Sequence, residues 1–430
     1  MPSIDTRDAD LVRVLWSDLH GVPRGKDIAA AELRNVAETG LAFCQALMVT
    51  DLSAEPLDVA ESSGRGWPDG LAVPDLDTLR FPSHAPGYAI VLADVLDPVS
   101  RKPLDVSPRD LLRAQVSRFT ERGLHPVAAP ELEFYVCAPD QQAPHRWVRY
   151  LDHDSAGYVV GGAYDPSGLL PDLLRHCRAL NLGTIGGFHE YTGGQFEINQ
   201  VHSAALDACD RTFLFKHVVK EVAAGHGLRA TFMGLPFTGR SGSGGHIHLS
   251  LTDPEGRSLF ATADGGLSDL ALAFLAGILE HAAGLTAILN PSINAFKRLR
   301  AGALVPRDAG WGLDDRTALV RVPPERGAGT RLETRVGDGI LNPYLGVAAL
   351  LAAGLDGIDR QLAPPPARAS GAPLPESLAA ALTALEQDKA LGEALGGRFV
   401  ELFTALKRQE IDRYERTVTD WEFHEYSWQL

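Results

Sequence analysis

Four short segments of this chain alternate apolar and polar side chains, with their charged or imidazole residues on one side of the alternation. They read PELEFYV at 130–136, GQFEINQ at 194–200, HIHLSL at 246–251 and TRLETRV at 330–336. Because side chains of a β-strand point alternately to opposite faces, each segment is predicted to be a half-buried strand. The chain is therefore expected to contain strands whose polar faces collect carboxylates, imidazoles and guanidinium groups.

The first 105 residues differ in pattern from the rest. There, the strand-like segments LVRVLWSDL and YAIVLADVL are separated by a helical stretch and a Gly- and Pro-rich segment, which predicts a small α+β domain over 1–105. A larger α+β domain is predicted over 106–430, since short strands there mix with long alanine- and leucine-rich helices. The predicted helices cover 107–124, 205–225, 266–289, 343–361 and 377–422, with a loop over 363–376.

Composition limits the classes of partner. With 40 Lys and Arg against 55 Asp and Glu, the net charge is −15, and no basic run is present, so neither nucleic acid nor an anionic membrane is an expected partner. The chain has no apolar run of roughly 18 residues and opens without an apolar leader segment, so a cytoplasmic protein is predicted. Its scattered cysteines are expected to be free and mostly buried thiols: Cys44, Cys137, Cys177 and Cys209.

Carboxylates recur at positions that share a face. Glu131 and Glu133 lie two residues apart on one predicted strand, and like charges held side by side are costly unless a cation lies between them. Glu190 and Glu197 flank a Thr-Gly-Gly break that permits a turn or bulge, so that both can point inward. A solvated strand face remains the alternative interpretation.

The segment SGSGGHIHLS at 241–250 places a flexible loop directly before two histidines. His246 and His248 would point to the same face of one strand and could serve one site. The glycines allow positive φ angles and close approach of a ligand to the backbone. A plain turn followed by a half-buried strand explains the loop equally well.

Five arginines fall within fewer than 40 residues of this acidic chain. Arginine suits recognition of carboxylate and phosphate, because its guanidinium is planar and always charged. For those in TRLETRV, a salt-bridged surface strand is the alternative. The five are Arg298, Arg316, Arg321, Arg331 and Arg335.

Together these groups favour phosphoryl transfer. Mostly oxygen ligands with at most one imidazole suit Mg²⁺ or Mn²⁺ rather than zinc. Metal ions neutralise phosphate oxygens, and arginines stabilise charge on the transferring group. No GxxxxGK(S/T) motif is present, so an ordinary P-loop is not the ATP site.

The order and content of these motifs resemble the glutamine synthetase family over nearly the whole chain. Eight blocks carry the resemblance: DLHGVPRGK, PELEFYV, HEYTGGQFEIN, SGSGGHIHLS, NPSINAFKRLRAG, DDRTALVRVP, TRLETRVGDGILNPYL and AAGLDGI. The resemblance implies an α+β fold with a β-grasp N-terminal domain and a catalytic domain with a curved antiparallel sheet and flanking helices. It also implies a homo-oligomer of stacked hexameric rings, a homododecamer, with active sites between neighbouring subunits.

The resemblance also implies a role for each matching residue. One metal ion would be held by Glu133, Glu190 and Glu197, and a second by Glu131, His246 and Glu333. Substrate-binding positions would be Glu133, Glu190, Gly242, His246, Arg298 and Arg335, with Ala60 and Leu304 in the acceptor pocket. Arg298, Arg316 and Arg335 would be catalytic, and ATP would contact His248, Ser250, Arg321, Arg331 and Trp67.

Four departures from the family pattern change the expected chemistry. Leu304 and Ala60 replace two acids that help bind ammonium, and burying a cation without a partner is unfavourable. Ser241 replaces an asparagine before the glycine, and MGLP at 233–236 replaces M-P-K-P.

The sequence therefore predicts an ATP-dependent ligase that joins the γ-carboxylate of L-glutamate to a small organic amine. The reaction would pass through γ-glutamyl phosphate, and Glu61 is a candidate base for an alkylamine acceptor. Three alternatives stay open: a true glutamine synthetase that uses ammonium, a non-catalytic ring scaffold, and a ligase that uses another carboxylate donor.

Overall fold

The computed structural model describes residues 6, 9–143, 145–154, 157–302 and 304–430. The strands are β1 Leu11–Ser17, β2 Pro23–Ala29, β3 Leu41–Cys44, β4 Asp69–Arg80, β5 Tyr88–Leu96, β6 His125–Pro139, β7 Trp147–Arg149, β8 Thr184–His189, β9 Gln195–Gln200, β10 Ser203–Ala204, β11 Arg229–Thr231, β12 Gly245–Thr252, β13 Trp311–Leu313, β14 Val320–Val322 and β15 Leu332–Thr334. The helices are α1 Leu33–Thr39, α2 Pro108–Thr120, α3 Leu169–Ala179, α4 Ala205–Gly225, α5 Asp269–Glu280, α6 Ala282–Leu289, α7 Ile293–Ala301, α8 Pro343–Asp359, α9 Leu378–Gln387, α10 Lys389–Leu395, α11 Gly397–Glu415 and α12 Asp420–Tyr426.

The first five strands form one mixed sheet in the order β2-β1-β5-β4-β3. The pair β1 and β5 is parallel and the other pairs are antiparallel. Val12, Val14 and Val91 are fully buried, and helix α1 packs against β4. The predicted small α+β unit thus has its own sheet, which ends before α2 begins; the boundary at residue 105 stays a prediction.

The second sheet has ten strands arranged around β6. Its main order is β13-β14-β15-β12-β6-β9-β8, and the short strands β7, β10 and β11 also pair with β6. The curved antiparallel sheet implied by the resemblance is present, and it includes one parallel pair, β13 with β14. Between them, Asp314 takes a φ of 50° and the loop 314–319 returns the chain to the start of β13.

The apolar face of this sheet is covered by helices, among them α2, α4 and α8. Rings from different strands and helices meet there, with Phe134 between Phe196, Phe215 and Phe232 at centroid distances of 5.4 to 6.1 Å. Full burial of each phenylalanine side chain stabilises the fold by about 1.5–3 kcal/mol relative to leaving it exposed. The opposite face of the sheet is thereby left to polar side chains.

Several predicted helices have different bounds in the structure. The region 266–289 is two helices, α5 and α6, bent by 75°. The region 377–422 is four helices, because Asp388 caps α10 by accepting from Leu391 N and Gly396 takes a φ of 96°. The strand predicted over 330–336 is confined to β15. The prediction over 205–225 is confirmed by α4.

The predictions for the cysteines and for membrane-spanning segments can also be compared with the described residues. All four cysteines are free, and all but Cys44 are buried, as expected. No single helix in the described part of the chain is long and apolar enough to cross a membrane, although the bent pair of α5 and α6 passes by length and composition.

Candidate active site

Chemistry-bearing side chains form a row across the polar face of the second sheet, over strands β9, β6, β12 and β15. Directly opposed residues of antiparallel strands lie on the same face with neighbouring Cβ atoms. The strand register therefore brings together groups that are far apart in the sequence. The opposed pairs are Glu197 with Glu133, Glu131 with His246, and His248 with Glu333.

The first group in this row consists of three carboxylates, Glu133, Glu190 and Glu197. One oxygen of each lies within 4.8 Å of the other two. Glu190 reaches the group because a turn joins β8 to β9, with Glu190 N donating to Gln195 O at 2.9 Å. The turn predicted for the Gly-Gly break is thus present, and it brings both glutamates to one side.

Negative charge is concentrated in this group. Burial, and then the charge of Glu133, raise the pKa of Glu190 to about 7. Burial, and then the charges of Glu131 and Glu133, raise the pKa of Glu197 to about 9. These shifts arise because several carboxylates share a poorly solvated space.

The second group contains Glu131 and Glu333 with two imidazoles. His246 Nδ1 lies 3.3 Å from Glu131 Oε1 and 3.8 Å from Glu333 Oε1. One ligand atom each of His248, Glu131 and Glu333 also lie within 4.8 Å of one another. Both histidines point to one face, as predicted, so that either imidazole could share a cation with the two carboxylates.

These donor sets fit the divalent cations implied by the sequence. Carboxylate oxygens with an imidazole are typical ligands of Mg²⁺ and Mn²⁺. In the first group, the raised pKa values of Glu190 and Glu197 reflect negative charge that a divalent cation would neutralise. The residues present therefore match the chemistry of a metal centre with two groups of ligands.

Arginines surround Glu333 on the side away from β6. Arg321 donates to Glu333 Oε2 at 2.6 Å, and Arg335 forms a second ion pair with Glu333. Arg331 Nε donates to His248 Nδ1 at 3.2 Å. Arg316 lies in the loop between β13 and β14, where its backbone oxygen accepts from Arg335 Nε at 3.0 Å, and its side chain is exposed. The structure thus brings four predicted arginines to one end of the row.

The remaining nucleotide position on β12 is Ser250. It follows His246 and His248 at every second residue, and it is partly exposed. Its register partner is Val127 on β6. Ser250 therefore lies on the same face as the two histidines, farther from the first carboxylate group.

The glycines of the loop before β12 are needed for a different reason from the one predicted. None of Gly242, Gly244 and Gly245 has a positive φ. A Cβ on Gly242 would lie 2.4 Å from Arg298 Cγ, and a Cβ on Gly244 would lie 2.7 Å from His246 Nε2. These glycines are required because the protein's own functional side chains pack against the loop, not because the backbone is left-handed.

Hydrogen bonds fix this loop beside the first carboxylate group. Gly244 N donates to Glu133 Oε2 at 2.9 Å, and Tyr135 OH donates to Ser241 O at 2.8 Å. Gln195 Nε2 donates to both Glu133 Oε2 and Gly242 O at 3.0 Å. The loop and the first carboxylate group are therefore one connected structure.

Two amide side chains of the site were missed at the sequence level. Gln195 is one, and Asn199 is the other: its Nδ2 donates to Glu197 Oε1 at 2.7 Å and to Glu131 Oε2 at 3.3 Å. Asn199 thus bridges the two groups. The signal was present in GQFEINQ, where both amides share the face of Glu197.

Two positions expected in the acceptor pocket, Ala60 and Leu304, and one expected to contact ATP, Trp67, are exposed. Ala60 and Trp67 are exposed in a loop of the first sheet's unit, and Trp67 is 52% exposed with a φ of 63°. Leu304 is 54% exposed and follows α7, the helix that carries Arg298. All three side chains are thus accessible at the surface of a single chain.

Glu61 does not fit the role of a base. Arg398 Nε donates to Glu61 Oε1 at 2.8 Å, and a second contact makes the ion pair bidentate. Burial favours a higher pKa for Glu61, but the hydrogen bonds and charge of Arg398 outweigh it and lower the pKa. A carboxylate held in this way is a poor proton acceptor.

Comparison with known proteins agrees with this arrangement. Residues 105–426 match the family described as glutamine synthetase, catalytic domain. The chain belongs to the glutamine synthetase family. A glutamine synthetase of Thermus thermophilus is 38% identical over 355 residues, which cover 79% of each protein.

Another relative within the glutamine synthetase family is the glutamate-isopropylamine ligase of a Pseudomonas species. It is 31% identical over 441 residues, covering 98% of this chain and 96% of that protein. A solved structure of a GmaS/ADP complex matches with a TM-score of 0.87 at 32% identity, covering 99% of this chain and 100% of that chain. The predicted family and fold class are thus confirmed, and glutamine synthetase-family enzymes are ATP-dependent ligases that use divalent metal ions.

Proposed function

We propose that this protein joins the γ-carboxylate of L-glutamate to an organic amine, at the expense of ATP. One observation carries the proposal: Ala60 and Leu304 stand where the family has acids that hold ammonium. A cation that leaves water needs an anionic partner, which neither side chain supplies. The apolar side chain of Leu304 suits the organic substituent of a larger amine, and a relative aligned over 98% of this chain is named a glutamate-isopropylamine ligase.

In this proposal, Glu133, Glu190 and Glu197 hold one metal ion, and Glu131, His246 and Glu333 hold the second. His248 lies close enough to contribute to either the second ion or the nucleotide. Once bound, Mg²⁺ or Mn²⁺ would neutralise phosphate oxygens of ATP. Asn199 orients a carboxylate of each group, and Gln195 ties Glu133 to the glycine-rich loop.

The arginines of the row would position the reacting groups. A γ-carboxylate oxygen attacks the γ-phosphorus of ATP, and ADP leaves. The amine nitrogen then attacks the acyl carbon, phosphate leaves with the C–O bond electrons, and the nitrogen loses a proton. Arg335, Arg321 and Arg316 lie at the end of the row where charge on the transferred phosphoryl group would be stabilised.

The decisive experiment is phosphate release by the purified protein with ATP, Mg²⁺ and L-glutamate, across ammonium, ethanolamine, diamines, polyamines, small alkylamines and anilines. Turnover with an organic amine and little with ammonium supports the proposal. The variant Leu304→Glu should shift preference toward ammonium, whereas Val99→Glu, at a 91% exposed position, should not. Turnover with ammonium alone would overturn the proposal.

A true glutamine synthetase is the second candidate, since a relative with that name is 38% identical to this chain. Another acid would then have to bind ammonium in place of the two that are missing. Both candidates rely on a ring oligomer in which a neighbouring chain supplies the loop of Ala60 and Trp67, and this assembly remains a prediction. If no acceptor gives phosphate release although ATP binds, the non-catalytic scaffold or another carboxylate donor is favoured instead.

A further inference from the structure

A buried loop at 336–341 receives a cation from each of two helices. Arg298 of α7 is 4% exposed and donates to carbonyl oxygens at the start of the loop. Lys216 of α4 is 8% exposed and donates to carbonyl oxygens at its end. The acceptors are Val336 at 2.6 Å and Gly337 for Arg298, and Gly339 at 3.2 Å and Leu341 at 2.9 Å for Lys216.

Between these two cations lies a fully buried carboxylate, Asp338. Its Oδ1 accepts from Ile340 N at 3.0 Å. Its Oδ2 lies 3.7 Å from Arg298 Nε, and neither atom has a hydrogen-bond partner among the described residues. Leaving both atoms unpaired is costly, so a small movement of Arg298 that closes this gap would be favourable.

The space for this carboxylate comes from a departure in the sequence. Gly234 stands where the family's M-P-K-P motif has proline. A Cβ on Gly234 would lie 1.7 Å from Asp338 Oδ2, a distance that no side chain can tolerate. The conformation of Asp338 in this chain therefore depends on a glycine at position 234.

The same loop is joined to the predicted donor site by backbone hydrogen bonds. Ser243 N donates to Gly234 O at 2.7 Å, Gly245 N to Gly337 O at 2.9 Å, and Gly339 N to Ser243 O at 3.2 Å. The aliphatic part of Arg298 packs against Gly242 from the other side. Asp338 thus lies directly behind the two residues expected to hold the carboxylate donor.

We infer that Asp338 is a positioning residue that sets the orientation of the Arg298 guanidinium for the carboxylate donor, and that Gly234 gives Asp338 the room to do so. The inference rests on the proposed function, in which Arg298 and Gly242 hold glutamate. It extends that function by linking a departure from the family motif to the donor subsite. Lys216 supports the loop from the opposite side without contacting Arg298.

The test compares steady-state phosphate release by the full-length protein and three variants, with glutamate and ATP titrated separately. Asp338→Asn keeps the volume but removes the charge, and it should raise KM for glutamate at least about tenfold with KM for ATP changed less than about twofold. Gly234→Ala should have the same selective effect by displacing Asp338. Lys407→Met removes a buried cation whose contacts are with His20 and Glu410, so it is the matched control and should leave KM for glutamate unchanged.

The possible results distinguish failure of the proposed function from failure of this inference alone. A wild-type protein without glutamate-dependent phosphate release would overturn the proposed function, and this inference with it. An active wild type whose Asp338→Asn variant keeps its KM for glutamate would overturn only the inference; if that variant does not fold, Gly234→Ala decides in its place. Restoration of KM by the double change Gly234→Ala with Asp338→Ala would also overturn it, because Asp338 would then only fill space.

Discussion

Glu197 combines burial with neighbouring like charge, and both raise its pKa. It lies opposite Glu133 in the sheet and within 4.8 Å of carboxylate oxygens of Glu133 and Glu190. Asn199 is its neutral partner, at 2.7 Å. This arrangement disfavours the metal-free fold and favours a bound cation, since the same carboxylates that repel one another supply its ligands.

We therefore expect Glu197→Gln to raise the thermal midpoint of the metal-free protein and to weaken Mn²⁺ binding at least about tenfold. The first effect follows because the metal-free fold no longer buries an acid beside other carboxylates, and the second because a neutral amide replaces an anionic oxygen ligand. Differential scanning calorimetry and isothermal titration with MnCl₂ measure them. Glu255→Gln, at an exposed position far along the chain, serves as control. Unchanged Mn²⁺ affinity in Glu197→Gln would remove Glu197 from the metal site.

At the scale of the element, helix α8 is joined to the first sheet by its own cap. Asn342 Oδ1 accepts from Tyr344 N at 3.1 Å, which satisfies a free amide at the helix start. Its Nδ2 donates to Ser17 Oγ at 3.1 Å and Asp18 O at 3.0 Å, at the end of β1. One side chain thus starts the helix and anchors it to another unit of the fold.

Asn342→Asp separates these two roles, because it keeps the capping oxygen but loses both donations. It also buries a carboxylate beside a carbonyl oxygen. We expect a loss of about 2–4 kcal/mol in the free energy of unfolding from urea titration. Ser377→Ala, which removes only the cap of α9, should cost about 1 kcal/mol. No loss in Asn342→Asp would show that the link to β1 contributes nothing.

A buried histidine connects the bend between α5 and α6 with helix α8 and with the start of α10. His281, at the bend between α5 and α6, contacts Asp388 Oδ2 at 2.7 Å and Asp356 Oδ2 at 2.9 Å. Burial favours a lower pKa for His281, but hydrogen bonds to the two aspartates outweigh it and raise the pKa. The protonated imidazole therefore holds α8 and the start of α10 to this bend.

The raised pKa of His281 determines how its contribution to the free energy of unfolding changes with pH. Stabilisation by the proton is complete below the unfolded value of about 6.5 and is lost as pH rises through the folded value. The free energy of unfolding of His281→Gln should therefore approach that of the wild type as pH rises above 6.5. Urea titrations over a pH series test this, with exposed His202→Gln as control. A difference that grows with pH would contradict the prediction.

At the scale of the whole molecule, one arginine holds the two sheet-bearing units together. Arg109 of α2 is 5% exposed and bonds Asp210 of α4 through two nitrogens at 2.8 Å. It also pairs with Asp75 at 2.7 Å and with Asp94, both from the first sheet. Charges from three elements therefore converge on a single guanidinium.

Arg109→Met would leave Asp75 and Asp210 without their cation, whereas Asp94 would keep its ion pair with Arg113. We expect a loss of about 3–5 kcal/mol in the free energy of unfolding, with faster proteolysis near the junction between β5 and α2. Chemical denaturation and limited proteolysis with mapped cleavage sites would measure these effects. Arg257→Met, which removes a guanidinium with 74% side-chain exposure, should change little. A stable, protease-resistant Arg109→Met would show that apolar packing alone holds the junction.

Local pattern was sufficient to predict which side chains share a face. Glu131 and Glu133 alternate with buried Leu132 and Phe134, and His246 alternates with Ile247, because a strand's two-residue period is a property of the backbone. The strong helix over 205–225 was predictable for the same kind of reason, since apolar content and helix propensity act over short distances. The order of motifs also sufficed to predict the family and its fold class.

Pairing between distant segments was decided only by the tertiary structure. The opposition of His246 with Glu131, the bridging position of Asn199 and the burial of Asp338 against Gly234 each depend on register and packing across 60 or more residues. Local pattern carries no information on such register, because the free energy that selects it comes from the assembled core. The sequence by itself therefore determined the chemical groups and the face they occupy, and the tertiary structure decided which of them meet.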